Sequence, residues 1–196
     1  MSEGPCILSR HEKARGRHLV LEEITWRNSR GENHLYESAG RAERRGSVAI
    51  IARLNSSGRY ILVRQFRPTQ GSWLLEFPAG LLDEGESAGE AALRELKEET
   101  GYTGRLARVL CPRPNSPGLS SEGTALAFVV VDEQADDNRN PQPQLEPGEE
   151  IEVLLLAPHE ARRTVLEARE DGTALLCDTK VSCYFLGLGG SEGLFS

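Results

Sequence analysis

The stretch that decides the reading runs from Gly80 to Tyr102, GLLDEGESAGEAALRELKEETGY. Its second half predicts a helix. Ser87 with Glu90 three residues later has the spacing of a capping box, in which each side chain satisfies the other's backbone N–H. Ala88, Ala91, Ala92, Leu93 and Leu96 supply an apolar side, and Gly101 stands where a C-terminal cap glycine belongs. Glu95, Glu98 and Glu99 then fall at i, i+3 and i+4, so three carboxylates share one helix face. Like charges in that arrangement repel, and the helix needs something positive among them. A hard cation such as Mg²⁺ fits, because it takes oxygen ligands and keeps waters for substrate phosphates. For an isolated ELKEE the ordinary explanation is a solvated acidic face. The spacing around it decides otherwise.

Outward from this helix the chain reads as alternating β-rich runs. SVAIIARL (47–54) and RYILVRQF (59–66) flank a turn at Asn55–Gly58, and WLLEF (73–77) is a further strand. Pro78 and Gly80 break the pattern, and Asp83–Gly85 makes a turn. Upstream, HLVLEEITW and HLYES on either side of NSRGEN read as a hairpin over 17–38. Downstream, strands are expected at 105–111, 124–131 and 151–156. Between the last two lies DEQADDNRNPQPQLEPGEE, acidic, rich in proline and too long for a simple connection. Helices are expected from about 158 to 170 and from about 174 to 188. Strands around a central helix, with helices at the end, make a mixed α/β (α+β) sandwich. Residues 1–45 form a separate N-terminal β region, and 46–196 form the main domain.

Composition narrows the function. The 196 residues carry a net charge of −7, which argues against a nucleic-acid backbone as partner, since such binders need a basic face. No apolar run approaches the length of a membrane span. MSEGPCILSR has no apolar stretch of the kind a secretory leader needs, so a cytoplasmic protein is expected. Cys6, Cys111, Cys177 and Cys183 lie far apart, with no CxxC pair and no histidine at ligand spacing. Zinc is not expected, and these read as buried or incidental thiols.

From Gly80 the order is a glycine, five residues, Glu86, seven residues, then Arg94-Glu95-Leu96-Lys97-Glu98-Glu99-Thr100-Gly101-Tyr102. This resembles the Nudix box, Gx5Ex7REUxEExGU, at every fixed position. A chance match at one starting point is on the order of one in a billion from average residue frequencies. The resemblance implies a Nudix α/β/α sandwich with a mixed sheet and a metal-dependent hydrolase. It implies Glu95, Glu98 and Glu99 as metal ligands with the backbone carbonyl of Ala79, and Mg²⁺ as cofactor with Mn²⁺ as a substitute. Arg94 can pair with Glu86 or Glu98 and hold the cluster in shape, which a fork-shaped guanidinium does better than Lys. Gly80 lets the backbone turn sharply after the strand. Arg94 and Glu98 belong to the catalytic set.

The resemblance extends beyond the box. ILVRQFRP, LLEFPAGLLDEGE and SPGLSSE look like the ADP-ribose (ADP-sugar) pyrophosphatase branch, over roughly residues 40–157. Pro117 fills the place of a proline found about fifteen residues beyond the box in that branch. The resemblance implies a nucleoside-diphosphate sugar as substrate, AMP and a sugar phosphate as products, and a set of contacts. Arg67 would bind the diphosphate or terminal ribose, Arg41 would reach the substrate from the N-terminal segment, and Glu76 would lie near the sugar and metals. Ser116 would contact the substrate beside Pro117. Tyr36 would stack on adenine; for the second aromatic, His18 falls near the place and Trp26 does not. A carboxylate from the loop after the box would act on the attacking water. Glu149 is favoured for this, with Glu150 and Glu152 as alternatives, and Gly148 with the Pro-rich loop suits a lid. Relatives are homodimers whose N-terminal strands cross to the partner. Two rivals stand beside this reading. One keeps the chemistry with another nucleoside-diphosphate sugar or an oxidised nucleoside diphosphate. The other is a Nudix-like module that only binds a nucleotide; such modules usually lose a box glutamate, and none is lost here.

Overall fold

Alternation in the N-terminal segment sets the first sheet. In the computed structural model, which describes residues 4–43, 45–168 and 175–189, three antiparallel strands pair in the order β1 (Cys6–Arg15), β2 (Leu19–Arg27) and β3 (Asn33–Arg41). The hairpin expected over 17–38 is β2–β3, with Ile24 opposite Tyr36 and Trp26 opposite His34. β1 was not expected. Its residues, CILSRHEKAR, are nearly all exposed and mix charge with apolar groups, so no period-2 pattern marks it. It is held by pairing to β2 from Cys6↔Arg27 to Arg15↔Val20, with two register shifts.

The second sheet has eight strands. β4 (Ser47–Leu54), β5 (Tyr60–Arg67), β6 (Ser72–Glu76) and the short β7 (Ala79–Leu81) precede the helix α1 (Ala88–Thr100). β8 (Arg105–Pro114), β9 (Gly123–Val131) and β10 (Ile151–Leu156) follow, then α2 (Pro158–Glu167), β11 (Leu176–Cys177) and α3 (Thr179–Leu188). The order is β11-β6-β5-β4-β9-β8, with β10 added to β5 and β7 to β4. β11 runs parallel to β6 and β10 antiparallel to β5, so the sheet is mixed as expected.

Consecutive apolar residues in β4 and β5 need cover on both faces. Val48–Ala52 and Tyr60–Val63 are all buried. On one face, Ala49, Ile51, Tyr60, Leu62, Leu75 and Phe77 pack with Ala161 of α2 and with Val181 and Phe185 of α3. Ile61 and Val63 point to the opposite face and are equally enclosed. α1 buries Ala91, Ala92 and Leu96, and it contacts β7 and β10.

α1 starts and stops where the sequence predicts. The Ser87 side chain accepts from the Glu90 N–H while Glu90 accepts from the Ser87 N–H, and Gly101 caps the far end at φ +76°. Three other expectations need correction. Ala79–Leu81 continues as β7 where Pro78 and Gly80 were expected to break the pattern, because it can pair with β4. α2 ends at Glu167 rather than near 170; residues 169–174 lie outside those described. The last helix begins at Thr179, not near 174, because Leu176 and Cys177 pair with β6 and Asp178 caps the helix by accepting from the Lys180 N–H. Cys6, Cys111 and Cys183 are exposed and Cys177 is half-buried, so none is a fully enclosed thiol.

The 132–150 connection is pinned for most of its length. The Asn138 side chain is buried and exchanges hydrogen bonds with the N–H and C=O of Thr103 and with the carbonyl of Asp132. The Gln144 N–H donates to the Glu98 carbonyl at 2.7 Å, satisfying an orphan acceptor near the end of α1.

Two compact units result, one from Met1–Ser47 with Cys111–Ala125, the other from Val48–Leu110 with Leu126–Ser196. The middle of the β8–β9 hairpin therefore groups with the N-terminal strands. No helix among the described residues is long and apolar enough to cross a membrane.

Gly101 tests how α1 is terminated. A Cβ there would collide with the backbone of Pro141 and Gln142, besides sitting at positive φ. Gly101→Ala is expected to lower stability by about 1–3 kcal/mol from the backbone conformation alone, and further through the collision. Urea unfolding should show a lower midpoint with an unchanged m value; an unshifted midpoint would mean the 139–144 segment does not hold this position.

Candidate active site

Arg94 organises the acidic helix. Its Nε and Nη2 donate to the two oxygens of Glu86 at 3.0 and 2.8 Å. Nη1 donates to Glu95 Oε1 and Glu98 Oε2, both at 2.9 Å, and Nη2 also donates to the Leu81 carbonyl at 3.0 Å. Five N–H groups thus meet five acceptors, the whole capacity of a guanidinium. The expected pairing with Glu86 or Glu98 is found with both, and Glu95 joins them. Hydrogen bonding to Arg94 holds the Glu86 carboxyl below the usual carboxylate range, aided by the Asp83 N–H.

Glu99 has no such cation. It is 4% exposed and accepts from the Ala79 N–H at 3.1 Å. Burial, with the nearby negative charges of Glu95 and Glu149, pushes its carboxyl up to about 8. Burial also raises Glu95, against the opposing effect of Arg94. Gly80 makes no left-handed turn, and its open side is taken up by Glu95. It is absent from the positive-φ glycines, but a Cβ on it would overlap the Glu95 carboxylate.

Among the described residues no three His, Cys, Asp or Glu groups converge as a metal cluster. Glu95 and Glu98 face Arg94, and Glu99 faces the Ala79 N–H. The donor chemistry nevertheless fits a hard divalent ion. The groups are oxygen-only, and Glu95 and Glu99 are both held above the usual range by burial and neighbouring negative charge, which an added cation would reverse. Rotation of the glutamate side chains is needed to bring the oxygens together.

Beside the box, Arg67 at the end of β5 pairs with the buried Glu76 of β6; its Nε lies 2.9 Å from Glu76 Oε1. The loop glutamates separate by position. Glu152 lies opposite Arg64 in the β10–β5 ladder, and its Oε2 accepts from Arg64 Nη1 at 2.8 Å. The Glu150 carbonyl accepts from the Phe66 N–H, which extends that ladder. Glu149 sits in a turn with Gly148 at φ +96°, its Oε2 accepting from the Glu146 N–H at 2.9 Å. Its charge acts on both Glu95 and Glu99.

The remaining sequence candidates lie in the N-terminal unit. Tyr36 donates to the Gly118 carbonyl at 2.6 Å, which ties β3 to the turn in which the Ser116 carbonyl accepts from the N–H groups of Leu119 and Ser120. Arg41 lies 3.5 Å from Glu122. Tyr36 also lines an apolar groove of about 320 Å³ with Pro5, Cys6, Ile7, Ile24 and Trp26. Trp26 lines this groove with Tyr36, and His18 does not. Register explains the pairing: Ile24 lies opposite Tyr36, so Trp26, two residues on, shares its face. The alternation in HLVLEEITW and HLYES held that signal, but only once the turn fixed the pairing.

The raised Glu99 pKa has a checkable sign. The neutral carboxyl favours the fold, so its contribution is complete below about 4.5 and is lost as pH rises towards about 8. In EDTA, Glu99→Gln should therefore melt progressively higher than the parent as pH is raised from 5 to 8. A melting difference that does not change with pH would show that Glu99 ionises freely in the fold.

The comparisons with known proteins agree with this arrangement. The NUDIX domain family matches residues 43–176. The ADP-sugar pyrophosphatase of Mus musculus is 37% identical over 180 residues, covering 88% of this chain and 82% of that protein. The ADP-ribose pyrophosphatase of Saccharomyces cerevisiae is 32% identical over 183 residues, covering 88% and 79%. A crystal structure of an ADP compounds hydrolase superposes with a TM-score of 0.64 at 22% identity, covering 96% of this chain and 95% of that one, which speaks for the fold. With the box intact and its arginine bonded to three of its glutamates, the chain belongs to the Nudix hydrolase family.

Proposed function

We propose that this enzyme hydrolyses the diphosphate bond of ADP-ribose or a related ADP-sugar, releasing AMP and a sugar phosphate. The observation that carries the reading is the carboxylate face of α1, ordered by Arg94 and bordered by Glu149. Two relatives named for ADP-ribose or ADP-sugar hydrolysis support the substrate class.

Glu95, Glu98 and Glu99, with the Ala79 carbonyl, would hold Mg²⁺, or Mn²⁺ in its place. Bound there, the ion would neutralise charge on the diphosphate and lower the pKa of a water. The protein's own groups do the rest. Arg94 keeps Glu95 and Glu98 on one face until they are needed as ligands. Arg67 offers a fixed guanidinium to a phosphoryl oxygen. Glu149 takes the proton of the attacking water, a role its placement near Glu95 and Glu99 supports over Glu152, which is engaged by Arg64. In the N-terminal unit, the groove walled by Trp26 and Tyr36 suits a planar base. Arg41 and Ser116 are assigned to substrate contact from the family resemblance. The same resemblance supports residues 1–45 as an N-terminal β region used to build a homodimer. Four unpaired cysteines suit a cytoplasmic location.

The first test is product formation from ADP-ribose, ADP-glucose, GDP-mannose, UDP-glucose and 8-oxo-dGDP, with Mg²⁺ and with EDTA. AMP should appear fastest from ADP-ribose and vanish with EDTA. Nucleotide binding without hydrolysis of any compound would replace this reading by an effector-binding one. Glu149→Gln should lower kcat on the order of 10²–10⁴-fold with KM little changed, and Glu150→Gln should have no comparable effect. The opposite pattern would move the base by one residue. Light scattering after size exclusion should give twice the chain mass; a monomer would remove the dimer from the proposal.

A further inference from the structure

Arg67 and Glu76 both read from the sequence as substrate contacts, but the structure gives them different situations. The Glu76 side chain is 10% exposed and that of Arg67 is 39% exposed. Both Glu76 oxygens face the guanidinium: Nε donates to Oε1 at 2.9 Å and to Oε2 at 3.2 Å, and Nη2 donates to Oε2 as well. Among the described residues nothing accepts from Nη1. Both carboxylate oxygens are thus bonded to the guanidinium and the group is enclosed, while the arginine keeps one donor edge free and reachable.

The surroundings explain why such an anchor is needed. Glu99 and Asp178 both act electrostatically on Arg67. Asp178 is fixed there, because its N–H donates to the Leu75 carbonyl and its side chain caps α3 and pairs with Lys180 Nζ at 2.8 Å. Each of these charges attracts a guanidinium carried on four rotatable bonds. A bidentate partner on the neighbouring strand fixes it instead. The pair is also in reach by register, with Arg67 opposite Ser72 and Glu76 opposite Val63, so both side chains stand on one face of the β5–β6 ladder.

We infer that Glu76 is a positioning residue: it grips the Nε and Nη2 edge of Arg67 so that Nη1 is presented to a phosphoryl oxygen of the bound diphosphate, and it touches neither substrate nor metal itself. This rests on the proposed diphosphate hydrolysis for the identity of the ligand. An arginine held in its binding rotamer loses less freedom when the ligand arrives, and affinity gains accordingly.

The test is a double-mutant cycle on binding, read by calorimetry with the α,β-methylene analogue of ADP-ribose in Mg²⁺, which cannot be hydrolysed at the bridging bond. The proteins are the parent, Glu76→Gln, Arg67→Ala and the double variant, with Glu76→Asp as a carboxylate too short for the same grip. Glu76→Gln should raise Kd about tenfold or more with Arg67 present. In the Arg67→Ala background the same change should alter Kd by less than about twofold. Glu76→Asp should fall between parent and Glu76→Gln. If Glu76→Gln alone does not fold, the Asp variant and the double variant, which removes both charges together, still close the comparison. Equal losses in both backgrounds would overturn the inference, because Glu76 would then act on the ligand or metal directly. So would an unchanged Kd with Arg67 present, or a parent that does not bind the analogue. Turnover of ADP-ribose by the parent is read separately. Its failure, with the binding coupling intact, would sink the proposed reaction and leave the role of Glu76 standing.

Discussion

Three glutamates on one helix face are a problem before they are a site, and Arg94 is the group that makes them tolerable. Five N–H groups on a planar fork meet oxygens from the loop, from Glu86 and from the helix itself. A lysine could offer three donors from one point and could not span them. The same bonds fasten the Leu81 carbonyl and Glu86 to α1, so β7, the loop and the helix become one piece. Glu99 lies outside this network and is the buried carboxyl most raised by desolvation. The arrangement therefore marks where positive charge is missing: at Glu99 and the buried side of Glu95, not at Glu86.

The sheet can carry such a site because its strands do different work on their two faces. In β5, Tyr60 and Leu62 enter the aromatic core, where Tyr60 meets Tyr184 and Phe185 edge-on. Residues of the other parity lead along the strand to Gln65 and Arg67. β6 repeats the division, with Leu75 in the core and Glu76 one residue later holding Arg67. A one-residue slip between these strands would exchange the two sets, taking Leu62 out of the aromatic core and moving Arg67 to the face away from Glu76. Packing on one face thereby sets the register of charges on the other.

How far the sequence reveals this depends on whether the cause is local. The box was legible because its chemistry is held in fixed spacings along one helix, and α1 was legible at both ends because its caps are side chains a few residues away. β1 was not, since a strand of mixed, exposed residues owes its existence to pairing with β2. The start of α3 was missed for the same reason: Leu176 and Cys177 look helical until β6 offers them a ladder. Gly80 was recognised but misread, because the pressure on it comes from Glu95, fifteen residues away in sequence and touching in space. Arg67 and Glu76 were found together, yet which of them stays reachable is decided by burial, which spacing alone does not report.

The loop carrying Glu149 shows how anchoring restricts motion. Proline and acidic residues across 132–150 suggest a long free lid, but Asn138 and the Gln144–Glu98 bond hold its first two-thirds against α1 and the start of β8. On the other side the Phe66–Glu150 bond begins the β10 ladder. Only residues 145–149 lie between these two points, closed on themselves by the Glu146–Glu149 turn. Movement of Glu149 relative to Glu95 and Glu99 must therefore be made within that turn, unless a ladder bond or the cap on α1 opens. Gly148, at φ +96°, is the residue there with the conformational freedom to make it. Glu149 on so short a tether can shift by a rearrangement of one turn while Glu95 stays bonded to Arg94 and Glu99 to the Ala79 N–H, so the turn and the helix face need not move together.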